Sequence, residues 1–380
     1  MKICDKEKCF GCGACVAKCP VSCIKMALDS EGFDYPNINV SQCINCGMCK
    51  QVCPALNVPE KKEPITTYAA WIIDDKAHKN STSGGLSDAL MQTVIADGGV
   101  VCGAKMMDDF SVCHDIATTT DTAKAFKRSK YIQSRIGNTF SKVKDYLNQD
   151  KKVLFAGTPC QIAGLKKYIG DNDNLYLVDI VCHGTPAFES LKKHIEEIEE
   201  KNGKKADSMS YRDEDYKLIL KQKGEVFYNK KSTEDLWYAG FLSGLFHKNA
   251  CYTCPFAERT RVSDITIGDF WGLKDKTLEK SAKYGVSLMM INTKKGEQLC
   301  SSASNLLELH KRETDEAVNG NSQLRKPIKK HRNREKYFRF VNKKGFEVAA
   351  KKCLFMERSK YKVASGIYMM KKCVQKMKGH

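Results

Sequence analysis

Two copies of one cysteine pattern, within residues 9–54, constrain the fold of this chain more than any other feature. Each copy has the spacing C-x2-C-x2-C-x3-C and is followed at once by proline, Pro20 in the first copy and Pro54 in the second. Every cysteine of the second copy lies 34 positions after its counterpart. The eight cysteines are Cys9, Cys12, Cys15, Cys19, Cys43, Cys46, Cys49 and Cys53. So many thiols in so short a segment indicate a metal-binding or disulfide framework.

The spacing is typical of iron–sulfur coordination. Three thiolates of a C-x2-C-x2-C run surround one 4Fe-4S cluster, and in two-cluster ferredoxins the fourth cysteine of each run binds the neighbouring cluster. Zinc sites instead use C-x2-C pairs. The pattern therefore predicts a two-cluster ferredoxin domain over residues 1–57, with one cluster on Cys9, Cys12, Cys15 and Cys53 and the other on Cys43, Cys46, Cys49 and Cys19. Cys4 and Cys23 fall outside the pattern, and we interpret them as small thiols that bind no cluster.

The distribution of cysteine also indicates a reducing compartment. Ten of the 19 cysteines lie before Pro54, and clustered thiols in a cytosolic protein are more often ligands than disulfides. Residues 1–6 contain no apolar stretch typical of a secretory signal. No uncharged apolar run approaches the roughly 18 residues that span a bilayer. We therefore expect a soluble, cytoplasmic protein, and its 380 residues allow two or three domains.

Beyond the cysteine-rich segment the sequence predicts alternating strands and helices. A polar, proline-bounded linker covers residues 58–66. Strands are predicted at residues 67–73, 99–104, 152–156, 175–181, 265–267 and 286–291, and helices at residues 86–96, 161–168 and 187–201. The alternation favours an α/β domain in two parts, residues 67–150 and 151–320, within a chain that is α+β as a whole. The strand order does not follow from the sequence.

The C-terminal segment, residues 321–380, is a basic tail. From residue 325 onward it has 19 Lys and Arg residues against three acids, so nearly all of the net charge of +18 lies there. Aromatic residues alternate with the cations and turn residues are few, which predicts a helical tail. We expect a solvated face or a partner surface, with peripheral contact to an anionic membrane as the alternative. No nucleic-acid partner is expected.

A further cysteine pair, Cys251-x2-Cys254, is an incomplete metal site. Two thiolates need partners, and Cys160 and Cys182 both occupy turns at strand ends. Four thiolates suit either a third 4Fe-4S cluster or a zinc ion. The local sequence leaves both open.

Other turns carry polar residues that can bind or react. Residues 81–85, Ser-Thr-Ser-Gly-Gly, precede a helix, and such a turn is either a cradle for a phosphate group or an ordinary helix cap. Residues 157–161 form a similar turn after a strand. His183 is a candidate proton carrier and Asp269 a candidate for proton transfer. For both, a structural role in the turn is the more common explanation.

Together these motifs resemble the coenzyme F420 hydrogenase/dehydrogenase beta-subunit family. After the ferredoxin segment, the resemblance rests on residues 83–85, 130–134, 157–161, 182–184, 251–256 and 263–272, in that order. It extends over about residues 1–310. It implies an α/β flavin-binding catalytic domain that binds FAD and one further 4Fe-4S cluster. The basic tail matches no motif of the family, and the deazaflavin of the family name need not be the substrate.

Carried over position by position, the family pattern implies two sets of residues. The implied FAD-binding residues are Ser83, Gly84, Gly85, Lys130, Tyr131, Gln133, Ser134 and Thr158. The implied ligands of the third cluster are Cys160, Cys182, Cys251 and Cys254. His183 and Asp269 remain the candidate catalytic residues, taken from the turns themselves.

The expected function is electron transfer in an oxidoreductase. Clusters pass single electrons, and a flavin converts them to a hydride for an organic substrate or a deazaflavin- or nicotinamide-type carrier. The expected partners are a ferredoxin or another redox protein and a small-molecule substrate. One alternative is an electron-relay subunit whose partner chain performs the chemistry. Another is a membrane-associated adaptor that acts through its basic tail.

Overall fold

The computed structural model describes residues 1–213 and 215–355. Residues 356–380 lie outside the described residues. They include the last part of the predicted basic tail, and the predicted membrane contact of the tail falls partly on them. The described chain divides into two compact units, the first of residues 1–185 and 248–328 and the second of residues 186–247 and 329–355. Among the described residues, no helix is both long and apolar enough to cross a membrane.

Strands and helices alternate along the described chain. The strands are β1 (Ile24–Leu28), β2 (Asp34–Ile38), β3 (Thr66–Ile72), β4 (Val100–Met106), β5 (Val112–Ala117), β6 (Val153–Gly157), β7 (Leu175–Ile180), β8 (Ser208–Asp213), β9 (Asp215–Gln222), β10 (Glu225–Lys231), β11 (Ile265–Asp269), β12 (Ser287–Ile291) and β13 (Leu307–Arg312). The α-helices are α1 (Ala14–Lys18), α2 (Met48–Gln51), α3 (Asp75–Lys79), α4 (Leu86–Ala96), α5 (Thr120–Ala123), α6 (Thr139–Leu147), α7 (Pro159–Ile169), α8 (Phe188–Asn202), α9 (Leu236–Ser243), α10 (Lys276–Ser281), α11 (Lys294–Ser302), α12 (Thr314–Gly320), α13 (Arg334–Lys344) and α14 (Phe346–Cys353). Short 3₁₀ helices lie at Lys6–Lys8, Lys124–Phe126, Asn249–Thr253, Ser304–Leu306 and Ser322–Leu324. The chain is therefore mixed α/β, as its alternating pattern predicts.

The ferredoxin segment folds around its cysteines as a small domain. β1 and β2 form an antiparallel hairpin in which Ile24 pairs with Ile38. α1 begins after Gly13 and α2 after Gly47, the same position in the two copies of the cysteine pattern. Both glycines have positive φ angles, 79° and 74°, which residues with a Cβ adopt only at a cost. The glycines therefore allow the sharp turn between the second and third cysteines of each run.

The first unit is built on a sheet of eight described strands, in the order β13-β3-β12-β11-β7-β6-β4-β5. The central strands β4, β6, β7 and β11 run parallel to one another, whereas β5, β12, β3 and β13 pair antiparallel with their neighbours. All five residues of β12 are buried, which explains its continuous apolar run. The loops after β6, β7 and β11 meet at one edge of the sheet, where open α/β sheets bind ligands.

Alternate residues of a strand point to opposite faces of its sheet, and β6 shows what covers each face. Phe155 packs with α6 and α7, whereas Leu154 packs with α4 and α11. The cluster around Phe155 also contains Phe10 and Cys12. The ferredoxin domain therefore packs on the face of the sheet that α6 and α7 cover.

The second unit contains α8, the antiparallel sheet β10-β9-β8, α9, α13 and α14. Its core is aromatic, with Trp237, Tyr337 and Phe346 fully buried. Asp235 caps the start of α9, and Nε2 of His194 lies 2.8 Å from its carboxylate. α13 and α14 belong to the basic tail, and each buries an apolar face in this unit.

Candidate functional site

Four cysteines of the repeated pattern line one cavity in the ferredoxin domain. Its lining includes Cys9, Cys12, Cys15 and Cys53, three of them from the first run and the last from the second. Burial raises the pKa of Cys15 to about 12, so a thiolate there needs the positive charge of a bound metal. We call this set the first-cluster site, and its donors fit a 4Fe-4S cluster.

The remaining cysteines of the pattern form the second-cluster site, Cys19, Cys43, Cys46 and Cys49. Burial and the nearby charges of Cys46 and Cys43 raise the pKa of Cys49, so these three thiols are close together. Cys46 is exposed, and the site therefore reaches the surface. Cys49 also acts electrostatically on Cys15, which places the two cluster sites side by side.

A fifth thiol, from outside the repeated pattern, lies beside each cluster site. Cys4 lines the first-cluster cavity. Its hydrogen bonds lower the pKa of Cys9 to about 7 and that of Cys53 to about 6. Sγ of Cys23 lies 3.4 Å from Sγ of Cys19. The two cysteines that the spacing leaves unassigned therefore contact ligand sulfurs, where hydrogen bonds affect the potential of a cluster.

Four cysteines from three parts of the first unit converge at a third site. Cys160 lies in the first turn of α7, and Cys182 follows β7 by two residues. Cys251 lies in the 3₁₀ helix Asn249–Thr253, and Cys254 ends it. Burial raises the pKa of Cys182, and the charges of the other three cysteines raise it further. These are the four cysteines that the family resemblance implies as ligands.

Backbone and hydroxyl groups point at the sulfurs of the third site. The N–H of Gly184 donates to Sγ of Cys182, and the N–H of Thr185 donates to Sγ of Cys251, each at 3.4 Å. Oγ1 of Thr158 lies 3.2 Å from Sγ of Cys160, in the first turn of α7. Hydrogen bonds of this kind stabilise thiolates and tune the potentials of iron–sulfur clusters.

Burial also favours the neutral form of the third-site thiols. It raises the pKa of Cys160 to about 11 and that of Cys254 to about 12, so metal binding there is coupled to proton release. No group of three His, Cys, Asp or Glu side chains at single-ion spacing occurs in the described residues, either here or in the ferredoxin domain. Zinc draws its thiolates to about 2.3 Å from one ion, whereas a 4Fe-4S cluster binds four thiolates on its own irons. The four thiols have the donor chemistry of a metal site, which suits either a 4Fe-4S cluster or a zinc ion.

The third site lies against the first-cluster site. Cys160 acts electrostatically on Cys12, whose pKa is raised chiefly by burial. A Cβ at Gly164 of α7 would lie 2.9 Å from Sγ of Cys12. Glycine inside a helix costs about 1 kcal/mol relative to alanine, and this close approach supplies the reason for it. α7 therefore carries Cys160 of the third site and packs directly on Cys12 of the first-cluster site.

Ser83, Gly84 and Gly85 lie in the turn between α3 and α4. The N–H of Gly84 donates to Oγ of Ser287 at 2.8 Å, and that hydroxyl donates to Oγ of Ser83 at 2.9 Å. A Cβ on Gly84 would collide with the carbonyl oxygen of Ala70, and Gly85 has a φ of 74°. The fold therefore requires both glycines, whether or not a ligand binds at this turn. The first turn of α4 presents further N–H groups that suit an anion.

The segment that carries Lys130 and Tyr131 packs against that turn. Oγ of Ser129 donates to Oγ1 of Thr82 at 3.2 Å. In the second contact, Nζ of Lys127 forms an ion pair of 2.6 Å with the carboxylate of Asp88, in the first turn of α4. Two sets of implied FAD residues, distant in sequence, are therefore neighbours in the fold.

Lys130 is a partly buried cation held by backbone oxygens. Its Nζ donates to the carbonyl oxygens of Phe126, Lys127 and Arg128, at 3.2, 2.6 and 3.1 Å. Burial lowers its pKa to about 8. The ammonium group of Lys130 and the N-terminus of α4 each carry the charge that suits a phosphate.

Gln133, Ser134 and Thr158 lie closer to the cluster sites. Nε2 of Gln133 donates to the carbonyl oxygen of Phe10 at 2.8 Å, and Phe10 directly follows Cys9 of the first-cluster site. Gln161 joins the other two, since its Nε2 donates to the carbonyl of Ser134 at 2.9 Å and its Oε1 accepts from the N–H of Thr158 at 3.0 Å. The eight implied FAD residues therefore form two groups, one at the start of α4 and one beside the clusters.

His183 and Asp269 follow neighbouring strands. β7 and β11 are parallel, with Ile180 opposite Ile267. His183 lies next to Cys182 in the loop after β7. Asp269 is the last residue of β11 and lies opposite Ser287 of β12. Both candidates therefore lie at the edge of the sheet that also holds the turn before α4.

Two buried cations near the third site were not predicted from the sequence. Arg261 pairs with Asp179 of β7 at 2.8 Å, and neither side chain is more than 2% exposed. Arg261 also donates to the carbonyl oxygen of Phe256 at 2.7 Å, which fixes the loop after the cysteine pair. Lys248, shortly before that pair, is 0% exposed. In a sequence such residues resemble ordinary loop cations, because residue type does not reveal burial.

The ferredoxin fold and its two cluster sites define an iron–sulfur protein, and comparisons with known families agree. Residues 8–57 match the family described as 4Fe-4S dicluster domain. Residues 150–317 match the family described as the C terminus of the coenzyme F420 hydrogenase/dehydrogenase beta subunit. The resemblance identified from the sequence is confirmed: the chain joins a two-cluster ferredoxin domain to a domain of this family of oxidoreductase subunits.

Among solved structures, a chain of the xenon-derivatised F420-reducing NiFe hydrogenase complex from Methanosarcina barkeri is similar to this one. The two are 18% identical, and the match covers 69% of this chain and 91% of the other, with a TM-score of 0.47. Similarity at that level supports no further conclusion about this chain. Among curated proteins, no match was found.

Proposed function

We propose that this chain is an iron–sulfur flavoprotein oxidoreductase that exchanges electrons between a redox partner protein and an organic substrate or hydride carrier. The position of the third site supports this most strongly. Cys160 lies within electrostatic reach of Cys12 and 3.2 Å from the hydroxyl of Thr158. Cluster ligands and implied FAD residues thus meet in one part of the first unit. Bound clusters supply single-electron transfer, and bound FAD supplies hydride exchange.

In this proposal Cys160, Cys182, Cys251 and Cys254 hold a third 4Fe-4S cluster. The chain already carries a domain that needs iron–sulfur assembly, so the same machinery can load this site. Zinc has no redox chemistry and has no role in electron delivery to a flavin. The N–H···S bonds from the loop after β7 hold two of the four thiolates in place.

FAD is proposed to bind at the edge of the sheet where β3, β6, β7 and β11 end. The first turn of α4 and the ammonium group of Lys130 bind its phosphates. Ser83 and Tyr131 belong to the same group, and Gly84 and Gly85 let the backbone turn there. Gln133, Ser134 and Thr158 form the part of the site that faces the clusters.

His183 and Asp269 are proposed to handle the proton that accompanies transfer to an organic substrate. Both follow strands that end at this edge, which suits a group that must reach a bound substrate. An imidazole nitrogen of His183 would carry the proton. The carboxylate of Asp269 would accept it or orient the substrate.

The second-cluster site is proposed as the contact surface for the redox partner. Cys46 is exposed, so an electron has a short path to the surface there. Val40 and Ile44, close to it in sequence, are each 61% exposed. Exposed apolar side chains around an exposed ligand suit transient docking of a second protein.

Composition of the purified protein tests the proposal. Protein prepared without oxygen is expected to contain about 12 iron atoms and about 12 sulfides per chain, as three 4Fe-4S clusters require. It is also expected to contain about one FAD, released on denaturation and measured by its fluorescence. A screen of reductants and hydride carriers then identifies the electron donor. Protein with about eight iron atoms and no flavin after anaerobic reconstitution would contradict the proposal.

Replacing Lys130 by methionine is expected to weaken FAD binding. In the FAD complex a phosphate oxygen replaces one of the three carbonyl acceptors of Nζ, and a charged hydrogen bond contributes about 1.5–3 kcal/mol, so the Kd for FAD should rise roughly tenfold to hundredfold. In the unchanged protein, affinity should fall as pH rises through about 8, because the ammonium then loses its proton. Fluorescence titration of apoprotein with FAD measures both effects.

Lys124→Met is the matched control for that substitution. Lys124 lies six residues earlier on the same segment, and its exposed side chain pairs with Asp121 at 2.8 Å, so its removal should leave FAD affinity nearly unchanged. Equal losses in the two variants would show that the segment is disturbed and that Lys130 does not contact the cofactor.

A further inference from the structure

Lys248 joins the cysteine pair of the third site to the ferredoxin domain. Its N–H donates to the carbonyl of Thr185 at 3.0 Å, and its carbonyl accepts the N–H of Cys251 at 2.9 Å. Its side chain runs in the other direction, where Nζ donates to the carbonyl oxygen of Asp34 in β2 at 2.7 Å. One fully buried residue therefore contacts both redox domains.

The ammonium group of Lys248 is held by neutral groups. Nζ lies 3.8 Å from the ring centroid of Tyr35 and 5.4 Å from that of Phe33. A Cβ on Gly11, between the first two ligands of the first cluster, would lie 3.0 Å from Nζ. Aromatic faces and a carbonyl oxygen stabilise a cation without neutralising it. The positive charge of the ammonium group is therefore not neutralised by these contacts, and it acts on the cysteines around it.

Two of those cysteines belong to different cluster sites. Burial lowers the pKa of Lys248, while the charges of Cys9 and Cys251 favour its protonated form. The two nearby carboxylates, Asp29 and Asp34, are each paired with another cation at 2.8 Å, Lys6 and Arg135 respectively. The charge of the ammonium group thus acts mainly on the first-cluster site and the third site.

We propose that Lys248 is a positioning residue that raises the reduction potentials of the first and third clusters by placing a buried positive charge between them. Reduction adds one negative charge to a cluster, and a fixed cation nearby stabilises that reduced state. Net charge around a cluster is among the factors that set its potential. The statement about the third cluster rests on the proposed function, whereas the statement about the first cluster depends only on the ferredoxin domain.

The test compares neutral and charged replacements of Lys248. Lys248→Met and Lys248→Gln remove the charge, and Lys248→Gln keeps a hydrogen-bond donor for the carbonyl of Asp34. Both are expected to retain their iron and to lower the potential of one ferredoxin cluster. The ratio of reduced to oxidised cluster at a fixed potential should fall about tenfold, which equals 59 mV for a one-electron couple. Redox titration followed by electron paramagnetic resonance measures it, and Lys248→Arg should stay near the wild-type potential.

Two backgrounds identify the cluster that responds. With Cys46→Ser, which is expected to remove the second cluster, Lys248→Met should still shift the remaining ferredoxin potential. With Cys12→Ser, which is expected to remove the first cluster, the ferredoxin potential that remains should not shift. Lys105→Met removes a partly exposed charge from β4 and controls for net charge. It should change neither potential.

Three results would overturn the proposal. One is an unchanged potential in both neutral variants with full iron, and another is an equal shift with Lys105→Met. The third is loss of the first cluster from both neutral variants, which would make Lys248 a structural tether. If Cys251→Ser loses no iron, the third cluster is disproved separately, and the shift of the first cluster still decides the role of Lys248.

Discussion

Cys12→Ser should remove one 4Fe-4S cluster and leave its neighbour in the ferredoxin domain intact. Cys12 lines the first-cluster cavity together with three other ligands, and none of the second-cluster cysteines lines it. Its side chain is buried. Iron should fall by about four of about 12 atoms per chain, because each cluster carries four. Iron and sulfide analysis of protein prepared without oxygen measures the loss.

Cys46→Ser is the matched variant in the second-cluster site. It occupies the same place in the second copy of the pattern and is exposed. It should also lose about four iron atoms, but from the second cluster, so the spectrum that remains in the ferredoxin domain is that of the first cluster. The double variant should lose about eight. If Cys12→Ser kept all its iron, or lost both ferredoxin clusters while Cys46→Ser lost one, the assignment of ligands would be wrong.

The elements predicted from the sequence are those that depend on local spacing. α4 begins at Leu86 and ends at Ala96, the bounds that the apolar pattern predicts. β7 begins at Leu175, also as predicted. The cysteine runs specify their clusters because metal geometry fixes the spacing of ligands. In each case the residues that determine the structure are neighbours in the chain.

The features that the sequence did not predict depend on distant contacts. β3 lies between β12 and β13, although the next strand in the chain, β4, lies near the other edge. Residues 186–247 form a unit with residues 329–355, and no local pattern announces that pairing. The burial of Lys248 is of the same kind. A lysine in a loop is normally solvated, and only the fold places this one beside Tyr35 and the cluster ligands.

Cys251→Ser should remove the third cluster without affecting the other two. Its Sγ accepts the N–H of Thr185 at 3.4 Å, and its charge raises the pKa of Cys182. A serine oxygen is a poorer ligand for iron than a thiolate, so iron should fall by about four atoms per chain. Dithionite should still reduce both ferredoxin clusters. Electrons should then reach FAD much more slowly, because the variant has no cluster at the third site, which lies between Cys12 and Thr158.

The measurements for this variant separate a cluster from a structural zinc ion. Metal analysis gives iron and zinc together, and stopped-flow absorbance follows flavin reduction after dithionite is mixed with the protein. Cys113→Ser is the control, since Cys113 is a partly buried thiol of β5 whose sulfur contacts Met107. It should change neither metal content nor rate. If wild-type protein contained stoichiometric zinc, and Cys251→Ser lost zinc but kept all its iron, the third site would be structural. Electrons would then have to reach the flavin by another route, because zinc cannot change its oxidation state under these conditions.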